Sequence, residues 1–192
     1  MKVTVIKVSM MEGKGYDAMK PLIFAIFDAI TPKDIEMSYI DDRIETLPER
    51  IDSDVIALSV ETFAALRAYD IARKYKTDKN RIVMGGFHPS AMPDEALEYC
   101  DTVLVGDAED TWLEYLEDLK NCCPKQKYFS DHKHGIAKID FNSKAFEGKK
   151  YNPIGLVQFS RGCKFRCDFC SVVSFYNCKV RQKPIDEIID EI

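Results

Sequence analysis

Short apolar runs alternate with longer amphipathic ones along most of this chain. Residues 2–9 (KVTVIKVS) are rich in β-branched side chains and predict a first strand, followed by a Gly- and Met-rich loop at 10–15. An apolar-periodic helix then ends at Ile30. Its start lies at Tyr16 or at Pro21, and the later start is preferred because proline suits a helix's first turn better than its interior. Residues 34–40 (DIEMSYI) predict a second strand, and 54–59 (DVIALS) a third, apolar enough to be covered on both faces. A helix from Glu61 to about Tyr75, a fourth strand at RIVMGG, a short helix from Pro93 to Tyr99 and a fifth strand at 102–105 follow. A helix from Glu109 to Lys120 then places Trp112, Leu113, Leu116 and Leu119 on one face.

Strands and helices alternating at this spacing predict an α/β fold, with helices on both sides of a parallel sheet. Right-handed crossovers favour a Rossmann- or flavodoxin-like doubly wound topology of strand order 2-1-3-4-5, filling residues 1–121. The pattern breaks after Asn121, and 122–153 reads as a linker, with a short strand expected at 135–141 (GIAKIDF). An apolar strand is expected again at 154–159 (IGLVQF). The sequence SRGCKFRCDFCS follows directly, and PIDEIIDEI opens a helix at 184–192 with acidic residues near its start. Residues 154–192 thus read as the start of a second domain.

Charge and composition narrow the class. The chain has 192 residues, 27 basic against 32 acidic side chains, a net charge of −5 and 46% hydrophobic residues. That supports a packed core and argues against disorder and against nucleic-acid binding by bulk positive charge. The longest apolar stretch, Leu22 to Ile30, is interrupted by Asp28 and is far short of the ~20 residues that span a bilayer, so no membrane partner is expected. Seven cysteines, an odd number without a visible export signal, argue for a reducing cytoplasm rather than a disulfide framework.

Three of those cysteines carry the chemistry. Cys163, Cys167 and Cys170 are spaced C-x3-C-x2-C. Structural zinc wants four ligands, usually from paired C-x2-C units, and an ordinary electron-transfer cluster wants four cysteines. Three thiolates on a four-iron cube leave one iron open to bind a substrate. The spacing by itself leaves open a zinc site completed by Cys178 or a histidine, although Cys178 reads better as a packed or free thiol. Cys100 reads as a core thiol, and Cys122 and Cys123 as unpaired boundary thiols.

GCKFRCDFC, with Phe169 just before the last cysteine, resembles the cluster loop of the radical S-adenosylmethionine (SAM) superfamily. The resemblance implies that Cys163, Cys167 and Cys170 hold a [4Fe–4S] cluster whose open iron chelates SAM, and that Phe169 lies near the adenine. It also implies reductive SAM cleavage to a deoxyadenosyl radical. An electron donor such as flavodoxin or ferredoxin and a small-molecule substrate are then the expected partners. Arg161, Lys164 and Arg166 would add positive charge beside the anionic cluster.

The first domain has its own candidate site, because ligands of open α/β sheets bind beyond the carboxyl ends of the strands. Ser59 and Thr62 follow the third strand, Gly85, Gly86 and His88 the fourth, and Gly106 and Asp107 the fifth. The glycine pair would let a ligand approach the backbone closely. Taken in order, SVET, GGFHP, GDAEDT and the cysteine loop resemble the cobalamin-binding-domain radical SAM enzymes, a class that includes anaerobic oxidative cyclases and methyltransferases. Cobalamin is the implied second cofactor, and these loop residues its implied contacts. Gly106-Asp107-Ala108-Glu109 departs from the Gly-Glu-Gly-Glu-like run usual there, and no D-x-H-x-x-G stands ready to supply an axial histidine. His88 reads equally well as a hydrogen-bonding residue of its own turn, and His132 and His134 as solvated. A non-catalytic cobalamin-binding or regulatory module and a metal-binding structural protein are the competing functions. With 22 residues after Cys170, the expectation is the leading edge of a barrel, unable to cleave SAM by itself.

Overall fold

The computed structural model describes residues 1–11, 18–140 and 142–191. The alternative helix start at Tyr16 and most of the loop at 10–15 lie outside the described residues. β1 (Lys2–Lys7), β2 (Glu36–Asp41), β3 (Val55–Ser59), β4 (Arg81–Gly85), β5 (Thr102–Val105) and β6 (Lys127–Phe129) form one sheet. Every pairing in it is parallel, in the order β2-β1-β3-β4-β5-β6. The expected order 2-1-3-4-5 holds, with a sixth strand added beside β5.

Successive residues of a strand point to opposite faces, and both faces here are covered. Val3, Val5, Val55, Ala57, Val83 and Leu104 face α1 (Leu22–Ile30) and α5 (Ala108–Lys120). Ile6, Ile56, Leu58, Ile82, Met84 and Val103 face α2 (Ala65–Tyr75) and Ala96 of α4 (Pro93–Leu97). This makes the sheet doubly wound. Pro21 stands immediately before the first turn of α1 with extended backbone, which accounts for the later start. A short α3 (Phe87–Ala91) precedes α4 and escapes the periodicity. Pro89 masks it, yet a proline in the first turn removes an N–H that has no intrahelical partner.

The segment 122–153 differs most from expectation. It contributes β6, while 135–140 forms no strand, and Phe141 lies outside the described residues. Ile139, Ala145 and Phe146 are buried in the α1–α5 core. Lys149 donates to the Tyr39 carbonyl (2.8 Å) and pairs with Glu45 (2.5 Å), and the Tyr151 hydroxyl reaches Asp41 (3.1 Å). These contacts cover the edge beside β2, an edge that would otherwise offer unpaired backbone. Three-residue β6, with only Tyr128 buried, is too short for sequence alternation to reveal.

The apolar run 154–159 also forms no strand. β7 is confined to Ser160–Gly162 and pairs antiparallel with β8 (Val180–Gln182). A barrel strand needs parallel neighbours on both sides, and among the described residues this run has none. α6 (Ser171–Tyr176) lies between the two strands, and α7 (Ile185–Glu191) follows where the sequence placed it. No helix of the described residues is long and apolar enough to cross a membrane.

Trp112 ties the two helices of one layer together. It is fully buried, packs edge-on against Phe27 at 4.8 Å, and donates its indole N–H to Thr31 Oγ1 at 2.9 Å. Replacing it with alanine opens a cavity and orphans a polar atom, so Trp112→Ala is expected to cost about 3–5 kcal/mol in urea unfolding. A loss below about 1 kcal/mol contradicts this packing.

Candidate functional site

Because all six strands are parallel, their carboxyl ends share one edge. A cavity of about 390 Å³ opens there, beside the crevice between β1 and β3 where the strand order reverses. Its wall is apolar: Val5, Ala57, Val83 and Leu104 from the sheet, and Leu22, Ile23, Ile26 and Phe27 from α1. Its rim is polar, with Lys7, Ser59, Glu61, Gly85, Gly86, Gly106 and Asp107 at the strand ends. Lys7 Nζ and Glu61 Oε1 pair at 3.1 Å across that rim. The C-terminal segment forms a roof from Leu156, Gln158, Arg161, Phe175 and Tyr176. An apolar wall with a few convergent polar groups is the usual make-up of a cofactor pocket, and the volume falls within the ~300–1,000 Å³ such pockets span.

Five of the expected contacts therefore line one cavity: Ser59, Gly85, Gly86, Gly106 and Asp107. Thr62 and His88 do not. Thr62 is exposed at the start of a single 3₁₀ turn (Thr62–Ala64). His88 is buried on the other side of the sheet, where its Nε2 lies 2.8 Å from the Tyr69 hydroxyl, which donates in turn to Glu95 at 2.9 Å. Its backbone N–H also donates to the Val60 carbonyl at 3.2 Å, which ties its turn to the loop after β3. The glycines have a local reason too. Gly86 (φ +105°) leaves room for the Val60 carbonyl, 2.7 Å from where a Cβ would stand. Gly106 (φ +93°) gives the same clearance to Ser130. Both positions demand glycine for loop packing, whatever occupies the cavity.

The turn from β5 into α5 holds a buried charge cluster that joins the sheet edge to the roof. Arg161 Nη1 donates to Asp107 Oδ1 (2.9 Å) and Glu109 Oε2 (3.0 Å). Its Nη2 donates to Glu109 Oε1 (2.9 Å) and Gln158 Oε1 (2.8 Å). Asp107 Oδ2 meets Arg181 Nη2 and lies 2.8 Å from His132 Nδ1. Asp107 and Glu109 are 5% and 7% exposed and Arg161 9%, so each of these charges depends on its partners. Burial would push the Asp107 carboxyl up, but Arg161, the His132 hydrogen bond and Arg181 outweigh it and hold the group below the usual carboxylate range. Burial likewise works against the charge on Arg161, and Glu109 and Asp107 more than restore it. Tyr176, packed over the cluster, is pushed up to about 12, chiefly by burial and then by Asp107.

Arg161 thus spends its charge on carboxylates of the first domain. His132, expected in solvent, sits beneath Phe175 and Tyr176 with ring centroids 6.1 and 5.5 Å away. Asp107, Asp110 and His132 bring ligand atoms within 4.8 Å of one another, but the guanidiniums on Asp107 already supply the positive charge that an ion would bring. No short motif marks this cluster, because its members are dispersed from residue 107 to residue 181.

Cys163, Cys167 and Cys170 share one loop between β7 and α6, and all three are free thiols. Cys170 N–H donates to the Cys167 carbonyl at 3.1 Å and closes the last turn of the loop. Phe169 is 92% exposed, and Lys164 and Arg166 are exposed nearby. Cys100 is buried as expected, and burial pushes its thiol up to about 12.

The depressed Asp107 pKa fixes the sign of an acid effect. A carboxyl whose folded pKa lies below its unfolded value of ~3.9 contributes stability that is present above that value and lost as pH falls through the folded pKa. Wild-type stability should therefore fall more steeply below about pH 4 than that of Asp107→Asn. Urea unfolding between pH 7 and 3 checks this, and parallel curves for the two chains would refute it.

Comparison with known proteins agrees with this layout. The B12 binding domain family model matches residues 11–116. The chain is 27% identical to a bacteriochlorophyllide d C-12(1)-methyltransferase of Chlorobaculum tepidum, over 96% of this chain and 42% of that protein. It is 28% identical to the bacteriochlorophyllide d C-8(2)-methyltransferase of the same organism, over 81% and 37%. It is 24% identical to a hopanoid C-2 methylase of Rhodopseudomonas palustris, over 91% and 34%. The chain spans less than half the length of each of these relatives. No solved structure matches it. With the matched residues covering more than half of the chain and running from the loop after β1 into α5, the chain belongs to the B12-binding domain family.

Proposed function

We propose that this chain forms the cobalamin-binding portion and the cluster loop of a radical SAM methyltransferase, acting on an unactivated carbon of a small molecule. The observation that carries the reading is that the three-thiol loop belongs to the same segment that roofs the cavity at the sheet edge. The names of the relatives, methyltransferases and a methylase, favour methyl transfer over oxidative cyclisation.

The residues suit both groups. A corrin is an apolar-faced ring edged with amides, and the cavity offers an aliphatic and aromatic wall with hydrogen-bonding groups at its rim. No histidine lines it: His88 faces Tyr69, His132 faces Asp107 and His134 faces Asp110. Cobalamin held here would take no imidazole ligand from the described residues. Three unpaired thiols in one loop suit a [4Fe–4S] cluster with one iron left for SAM. When bound, the cluster supplies the electron that cleaves SAM, and cobalamin carries the methyl group. Lys164 and Arg166, in the same loop as the thiols, would set positive charge beside an anionic cluster, and exposed Phe169 would be available to stack on an adenine. A reducing cytoplasm and a small acidic electron carrier, such as flavodoxin, complete the proposal.

Anaerobic reconstitution with iron and sulfide should give a brown iron–sulfur chromophore. Alanine at Cys163, Cys167 or Cys170 should abolish it, whereas Cys178→Ala should keep it. A chromophore that survives Cys167→Ala would reject the assigned ligand set. Hydroxocobalamin should co-elute with the chain on gel filtration, and a colourless protein peak would end the cobalamin assignment.

A further inference from the structure

Arg161 lies two residues before Cys163, yet its guanidinium is buried against the start of α5, over fifty residues away in sequence. In the β7–β8 hairpin, Arg161 stands directly opposite Arg181. Like charges directly across two strands repel, and strands of three residues are marginal by themselves. Here Asp107 stands between the two arginines and accepts from both. The Asp107 carboxylate thus offsets the repulsion between the two arginines across the hairpin. The segment between those strands, from Cys163 through Cys170 to α6, is bounded at both ends by residues that meet this carboxylate.

We propose that Arg161 is a positioning residue that clamps the cysteine loop onto the edge of the cobalamin-binding domain. The clamp needs a guanidinium. Two nitrogens of Arg161 make four hydrogen bonds to three side chains, in a planar fork that a lysine ammonium cannot reproduce. The carboxylates it binds are those of Asp107, which lines the cavity, and Glu109, which follows it. The cavity rim and the first cluster thiol are thus separated by a single ion pair and two residues of backbone. The consequence for the thiols rests on the cluster-ligand assignment proposed above, whereas the clamp rests on the geometry alone.

Hydrogen exchange on the whole chain, read by mass spectrometry, separates the two. In Arg161→Ala, amides in 160–182 should exchange at least tenfold faster than in wild type, while those in β1, β3 and β4 keep their rates. Arg161→Lys, which retains the charge without the fork, should fall between. Unchanged rates in 160–182, or an acceleration shared equally by the central strands, would overturn the clamp. In parallel, iron bound per chain after anaerobic reconstitution should fall at least twofold in Arg161→Ala and recover in part in Arg161→Lys. Equal iron in wild type and Arg161→Ala would overturn the positioning of the thiols. A wild-type chain that takes up no iron would reject the cluster assignment, and the exchange comparison would still decide the clamp.

Discussion

Two carboxylates at the β5–α5 turn are withdrawn from water, and the fold's far end supplies the cation that makes this tolerable. Asp107 and Glu109 sit where the helix begins, a location whose free N–H groups and dipole favour negative charge. That local preference does not offset the desolvation of two acids side by side, since a buried charge without a partner costs several kcal/mol. Arg161 and Arg181 arrive from residues 160–182 and satisfy both oxygens of Asp107, and Arg161 reaches both oxygens of Glu109, whose Oε1 also accepts from the Ala137 N–H. The arginines need the carboxylates equally, because they face each other across the hairpin. Neither part of the molecule is electrostatically complete without the other.

This mutual dependence gives the cavity its shape. A doubly wound sheet, by its topology, delivers small and polar loops to one edge, and that edge alone is an open crevice. The roof partly covers it, and contacts of Arg161 with Asp107 and Glu109 and of Phe87 with Phe175 at 4.6 Å join the roof to the sheet edge. The loop that carries the three thiols is itself exposed at Phe165, Cys167 and Phe169.

The legible parts of the sequence were those governed by local periodicity. The first five strands, α1, α2 and α5 follow from apolar spacing, and Pro21 set the start of α1. The sheet-edge loops were found because parallel topology sends every strand's carboxyl end the same way. The rest depends on long-range partners. β6 is three residues long and acquires its register only by pairing with β5. Residues 154–159 have strand-like composition, but among the described residues no strand pairs with them. Arg161 read as a neighbour of the cysteines, since nothing local says that it turns toward residues 107 and 109. His132, between acidic and basic neighbours, read as solvated for the same reason. The Gly85–Gly86 pair read as room for a ligand, whereas Val60 already claims the space over Gly86.

The central claim is that the carboxyl edge of this sheet, beneath the thiol-bearing segment, is where cobalamin binds. Hydrogen exchange with and without hydroxocobalamin tests it most directly. The account predicts slower exchange at 59–61, 85–87 and 106–109, with α2 and the amino-terminal ends of the strands unchanged. Binding without protection in those three loops, or protection centred on another face, would contradict it.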